Sequence, residues 1–140
     1  MATMASLGNM NMIQPQSIIV AASDETTAIT VGTAKTTWRM PYPFQILAVK
    51  ASLTTAGGTS GTTIIDINDD TVSILSTKIT IDQGELTSVT AATPPVLATT
   101  GYTILPDSSM TVDVDAISGG ASETGLKVEL IGYPLGARIS

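Results

Sequence analysis

Asp66, Asn68, Asp69 and Asp70 crowd side-chain oxygens into the stretch 66–70, the donor type that calcium takes. An EF-hand loop requires glycine at its sixth position and glutamate at its twelfth. Counted from Asp66, those positions hold Thr71 and Thr77, so the EF-hand pattern fails, and a calcium site of another kind in a sandwich loop is the alternative left open. A second carboxylate pair, Asp113 and Asp115, has the i, i+2 spacing that places both groups on one face of a strand. Glycosidase carboxyl pairs stand about 5–10 Å apart, within reach of that spacing. With one Trp, one Phe and three Tyr, the chain offers little from which to build a sugar platform. These aspartates are expected to face solvent and to pair with Lys127 across a hairpin. The loop 54–61, TTAGGTSG, shares only its composition with a phosphate-binding loop, because the Lys-Ser/Thr ending is missing.

Histidine and cysteine are both absent. That removes the commonest general base and metal ligand, the Ser-His-Asp arrangement, thiolate chemistry and any disulfide frame. Six Lys and Arg are scattered against twelve Asp and Glu, for a net charge of −6. No basic stripe exists, so nucleic acid is not an expected partner. No apolar run approaches the roughly 18 residues of a membrane span. The N-terminus has neither a positive region nor a continuous apolar one, so no secretory leader is expected. No enzyme activity, cofactor or metal site is expected.

Charged residues make up 13% of the 140, against about 25% in ordinary globular chains. Hydrophobic residues make up 43%, mostly Ile, Val, Leu and Ala, and Thr is abundant, a composition that favours strands. One domain is expected from the length. A surface of Thr, Ser, Gly and Ala with few charges suits a protein that works in an assembly and self-associates.

The stretch 37–53 holds the only Trp and the only Phe. Pro41 and Pro43 break it into two extended halves, because proline removes a donor and pushes the residue before it out of the helical region. Trp38 and Phe44 are assigned to the main core, and Leu47, Val49, Ala51 and Leu53 to the inward face of a strand. Further strands are expected at 17–22, at 28–32 and 36–40 (two strands, or one bulged at Gly32), at 62–68, 72–75 and 77–82, and at 86–90. The stretch 93–105 reads as a crossing connection with a strand fragment at 96–98. The clearest alternation lies at 110–117 and 126–132. No amphipathic helix is found. Short strands separated by turn signals predict an all-β, jelly-roll-like antiparallel β-sandwich, and the crossing connection favours that topology over a meander.

Residues 1–16 differ in character. They hold Met1, Met4, Met10 and Met12 among Asn, Ser, Gly, Ala and Gln, and no charge precedes Asp24. They are read as an extended N-terminal arm preceding a sandwich domain at 17–140. Met4, Met10, Met12 and Ile13 are its candidate interaction residues, because methionine fills irregular contacts.

Four stretches, WRMPYPFQILAVKASLTTA, ILSTKITID followed by TAATPP, MTVDVDAI and GLKVELIG, give the run 28–133 its character. In them the chain resembles small β-rich virion proteins of tailed bacteriophages. The resemblance implies a jelly-roll-like domain at the virion surface. The lead expectation is a capsid decoration, or cement, protein that stabilises the head by bridging major capsid protein subunits, working as a homotrimer. The alternatives are a fibre or tail module that binds a host-surface carbohydrate or receptor, and a small β-sandwich enzyme.

Overall fold

Alternation of apolar and polar residues produces strands along most of the chain, and turn residues cut them short. The computed structural model describes residues 14–120 and 122–136. Met4, Met10, Met12 and Ile13 therefore lie outside the described residues, as does most of the expected arm. The strands are β1 (Gln16–Ala21), β2 (Gly32–Arg39), β3 (Phe44–Ser52), β4 (Thr62–Asp69), β5 (Val72–Ser73), β6 (Leu75–Thr77), β7 (Ile79–Asp82), β8 (Val96–Leu97), β9 (Thr103–Ile104), β10 (Ser109–Ala116) and β11 (Lys127–Pro134).

One sheet, A, runs β1-β11-β3-β9, a second, B, runs β2-β10-β4-β5, with β7 also paired to β4, and β6 and β8 form a small two-stranded sheet of their own. The strand pairings among the described residues are antiparallel, and four of them nest one inside the next: β1 with β11, β2 with β10, β3 with β9, and β4 with β7. That nested pairing is the jelly-roll arrangement, with β1 to β4 alternating between the two sheets and β9 to β11 doing the same. The proline corner performs one such transfer, since β2 ends in sheet B before Pro41 and β3 begins in sheet A after Pro43. The stretch after β7 performs another on its way to β9 and carries β8, the fragment expected at 96–98.

Inward residues of both sheets form one apolar cluster. Sheet A contributes Phe44, Ile46, Val49, Val128 and Leu130, and sheet B contributes Ile65, Ile67, Ile79, Met110 and Val112. Phe44 is fully buried, as expected. Trp38 is not at the centre of the core: it is half-buried and packs on the cluster's side, and its indole N–H meets no protein acceptor.

Other expectations are corrected by local geometry. Leu47 is 47% exposed, because β3 bulges there: Ile131 faces Ala48 while Gly132 faces Ile46, leaving Leu47 as the extra residue. Neither reading of 28–40 holds: residues 28–31 are loop, one strand runs from Gly32 to Arg39, and its irregular point is Ala34 at φ 49° and not Gly32. Ile29 is buried from a loop, tied by its N–H to the Glu123 carbonyl at 2.8 Å. The strand expected at 86–90 is a short 3-10 turn, Ser88–Thr90, whose preceding Thr87 hydroxyl accepts from the Val89 N–H.

Candidate interaction surface

The carboxylates come first, since they carry the chemistry the sequence offered. On the outer face of sheet B, Asp66 lies opposite Asp113 in the β4–β10 register. Asp66 is buried and accepts from Ser73 Oγ at 2.5 Å and from the Ile67 N–H at 2.9 Å. Lys78 Nζ stands 3.2 Å from Asp66 and 2.5 Å from Asp115, tying the two strands together. The bond to Asp115 is the main cause that raises the Lys78 pKa. Asp113 accepts from the Ala34 N–H at 2.7 Å, which holds the bulge of β2, and from Asn68 Nδ2 at 3.0 Å. Asp69 accepts from the Tyr102 hydroxyl at 3.3 Å, and Asp70 from the Ser109 N–H at 2.9 Å. Burial, followed by the charge of Asp69, raises the Tyr102 pKa.

The stretch 66–70 thus divides its oxygens among separate protein partners. Among the described residues, no three Asp or Glu converge where a metal ion could sit. The pairing expected between Asp113, Asp115 and Lys127 is not made. Asp115 takes Lys78 instead, and Lys127 bonds Glu25 from the loop after β1. The sandwich sets β10 beside β2 and β4, so it never becomes the hairpin partner of β11.

Sequence reasoning passed over Glu123. Only 1% exposed, its carboxylate accepts from Thr63 Oγ1 at 2.6 Å, from the Ser118 N–H at 3.0 Å and from the Ser118 hydroxyl. Its other oxygen meets no protein donor. Gly57 lies directly beneath: a Cβ there would fall 2.2 Å from Glu123 Oε1 and 1.6 Å from Ser118 Oγ. The carboxylate ties the loop after β10 to β4, and Gly57 leaves the room it needs. That explains the glycine in a stretch that looked like a phosphate cradle.

The remaining distinctive surface is the outer side of sheet A. Strand register sets Ile19, Glu129 and Lys50 in one row across β1, β11 and β3, with Ser17, Ile131 and Ala48 in the next. A groove of about 330 Å³ crosses the first row, lined by Ile19, Lys50, Thr87, Val89 and Glu129. A second, of about 350 Å³, lies farther along β3, lined by Leu47, Ala48, Pro95, Val96 and Gly101. Ile19 and Val89 are each 65% exposed and Val96 51%. The β3 bulge turns Leu47 outward into the second groove, a placement that strict alternation in the sequence concealed.

Comparison with protein families, with characterised proteins and with solved structures finds no match to this chain. The function must therefore be argued from the surface itself. Among the described residues no helix is long and apolar enough to cross a membrane.

Proposed function

We propose that this protein is a structural component of a tailed-bacteriophage virion, a capsid decoration protein that acts by burying surface against the major capsid protein. The observation that carries the reading is the outer side of sheet A, where Ile19, Leu47, Val89 and Val96 stand exposed around two grooves. Exposed apolar side chains gathered around grooves favour an interaction site. The carboxylates described above meanwhile serve the fold's own strands and loops. The homotrimer implied by the resemblance belongs to the same proposal, as does attachment at the virion surface.

A carbohydrate-binding fibre module is the weaker reading. Phe44 is buried, and Trp38, Tyr42, Tyr102 and Tyr133 are all partly covered, which leaves little for a sugar ring to stack on.

The test adds purified protein to particles lacking decoration and counts bound copies. A charge at the centre of the second groove, Val96→Glu, should leave the fold intact, since Val96 is already half in solvent. It should lower occupancy at least about tenfold, the effect of placing an unpaired charge in a buried contact. Wild-type protein that never binds such particles removes the capsid reading.

A further inference from the structure

Each sheet of a sandwich ends in strands whose outward N–H and C=O groups have no neighbour, and proteins blunt such edges with charge, bulges, proline or brevity. The other edges here are blunted. At the far side of sheet A, β9 has two residues. In sheet B, β5 has two and β7 four. The long edge strand β2 is bent by its bulge, holds Ala34 at φ 49°, and carries Lys35 and Arg39. β1 has none of these devices. It pairs all six residues with β11 in unbroken register, carries no charged side chain, and presents Ile19 at 65% exposure. Among the described residues β11 is its one neighbour.

We propose that β1 is a self-association edge: two copies pair β1 with β1 antiparallel about a two-fold axis, joining their A sheets into one continuous sheet. The occupant is a second copy because β1 can meet its own copy in matched register: in a chain whose net charge is −6, QSIIVA brings no charge against its own copy.

Side-chain direction then fixes the register. Ile18 and Val20 pack toward the core and Ile19 points away, so like faces match only if the axis passes through a residue that faces itself. Centring on Ile19 sets Ile19 against the partner's Ile19, and Ile18 against the partner's Val20. It also leaves Pro15, which has no N–H to give, opposite the partner's Ser23, beyond the end of the strand. Centring on Ile18 would bring Pro15 into the ladder. The pairing buries the two exposed Ile19 side chains against one another and satisfies the open row of backbone groups.

The contact is separate from the proposed trimer, because a three-fold ring cannot close through a strand paired with its own copy. Its test uses the full chain. There is no native cysteine, so Ile19→Cys introduces a single thiol. Directly opposed residues of an antiparallel pair have Cα atoms about 4.5–5.5 Å apart, within disulfide range. Mild oxidation should link I19C into a covalent dimer in high yield, and Ser17→Cys, whose position faces the partner's Ala21, should link far less. Ile19→Lys should fold normally and weaken the association seen by sedimentation at least about tenfold, as edge charges do. Failure of I19C to cross-link, or equal association of I19K and wild type, overturns the proposal. A protein without this contact that still decorates particles leaves the capsid reading standing. A β1 dimer that ignores particles does the reverse.

Discussion

Asp24 shows how one exposed side chain can organise a loop. Its Oδ1 accepts from the Thr27 N–H at 2.6 Å and the Thr26 N–H at 2.8 Å, a turn closed by the side chain in place of the backbone. The turn is anchored to the other end of the chain: the Asp24 carbonyl accepts from Gly125, and Ser23 Oγ from the Leu126 N–H at 2.8 Å. The Thr27 backbone bond, then that of Thr26, holds the Asp24 pKa down from 3.8 to about 2. A depressed carboxylate contributes stability that is present above its unfolded value near 3.8 and lost as the pH falls through about 2. The Asp24 carboxyl resonance should therefore titrate with a midpoint near 2, and the Thr26 and Thr27 amide resonances should move with it. In Asp24→Ala those amides should show no acid transition of their own. A midpoint near 4 in the wild type would mean the two N–H bonds are not held in solution.

At the scale of elements, the β4–β5 hairpin carries a local conflict between sequence and fold. Asp69 pairs with Val72, so the loop is Asp70 and Thr71, at φ 46° and 76°. Positive φ at both positions is what a type I′ two-residue hairpin loop requires, and Asp-Gly is a favoured pair there. Thr71 is β-branched and tolerates that region poorly. Thr71→Gly should stabilise the protein by about 0.5–1 kcal/mol, read from the denaturation midpoint. A loss of stability would show that the Thr71 side chain makes a contact that outweighs its strain. The hairpin also shows why some elements were legible and others not. β10 alternates apolar and polar residues along its length, β11 does so from Lys127 to Leu130, and period alone reveals them. β3 breaks its period at Leu47, because a bulge inserts a residue that neither sheet face claims. The 3-10 turn at Ser88–Thr90 was hidden behind Leu86 and Val89, apolar residues that are both exposed. Glu123 was invisible because Thr63 and Gly57 lie far from it in sequence and meet it only once the two loops are folded together. Local pattern reports which residues alternate; it does not report which loop a jelly roll will lay over which.

At the scale of the whole molecule, the N-terminal segment precedes both the core and the first strand. The buried apolar cluster runs from Ala22 to Leu130, and β1 begins at Gln16. Residues 1–13, with Met4, Met10, Met12 and Ile13, carry no charged side chain and several adaptable ones. Thirteen residues reach at most about 45 Å when extended, enough to cross onto a neighbouring subunit. Fixing them costs about 1–2 kcal/mol per residue, so only a large and specific surface could hold them. If the segment serves attachment, deleting residues 1–13 should leave the melting temperature within about 3 °C of the full chain, because the core and every β1 pairing are retained. Occupancy on particles should nonetheless fall at least about tenfold, as expected when a contact of several kcal/mol is removed. The deletion must stop before Gln16, since removing that residue would also cost β1 its pairing with Gly132 and confuse loss of attachment with loss of fold. Equal occupancy of the full-length and shortened proteins would place attachment on the sandwich alone, with Leu47, Val89 and Val96 as the residues to change next. A shortened protein that fails to fold would instead make the segment part of the domain.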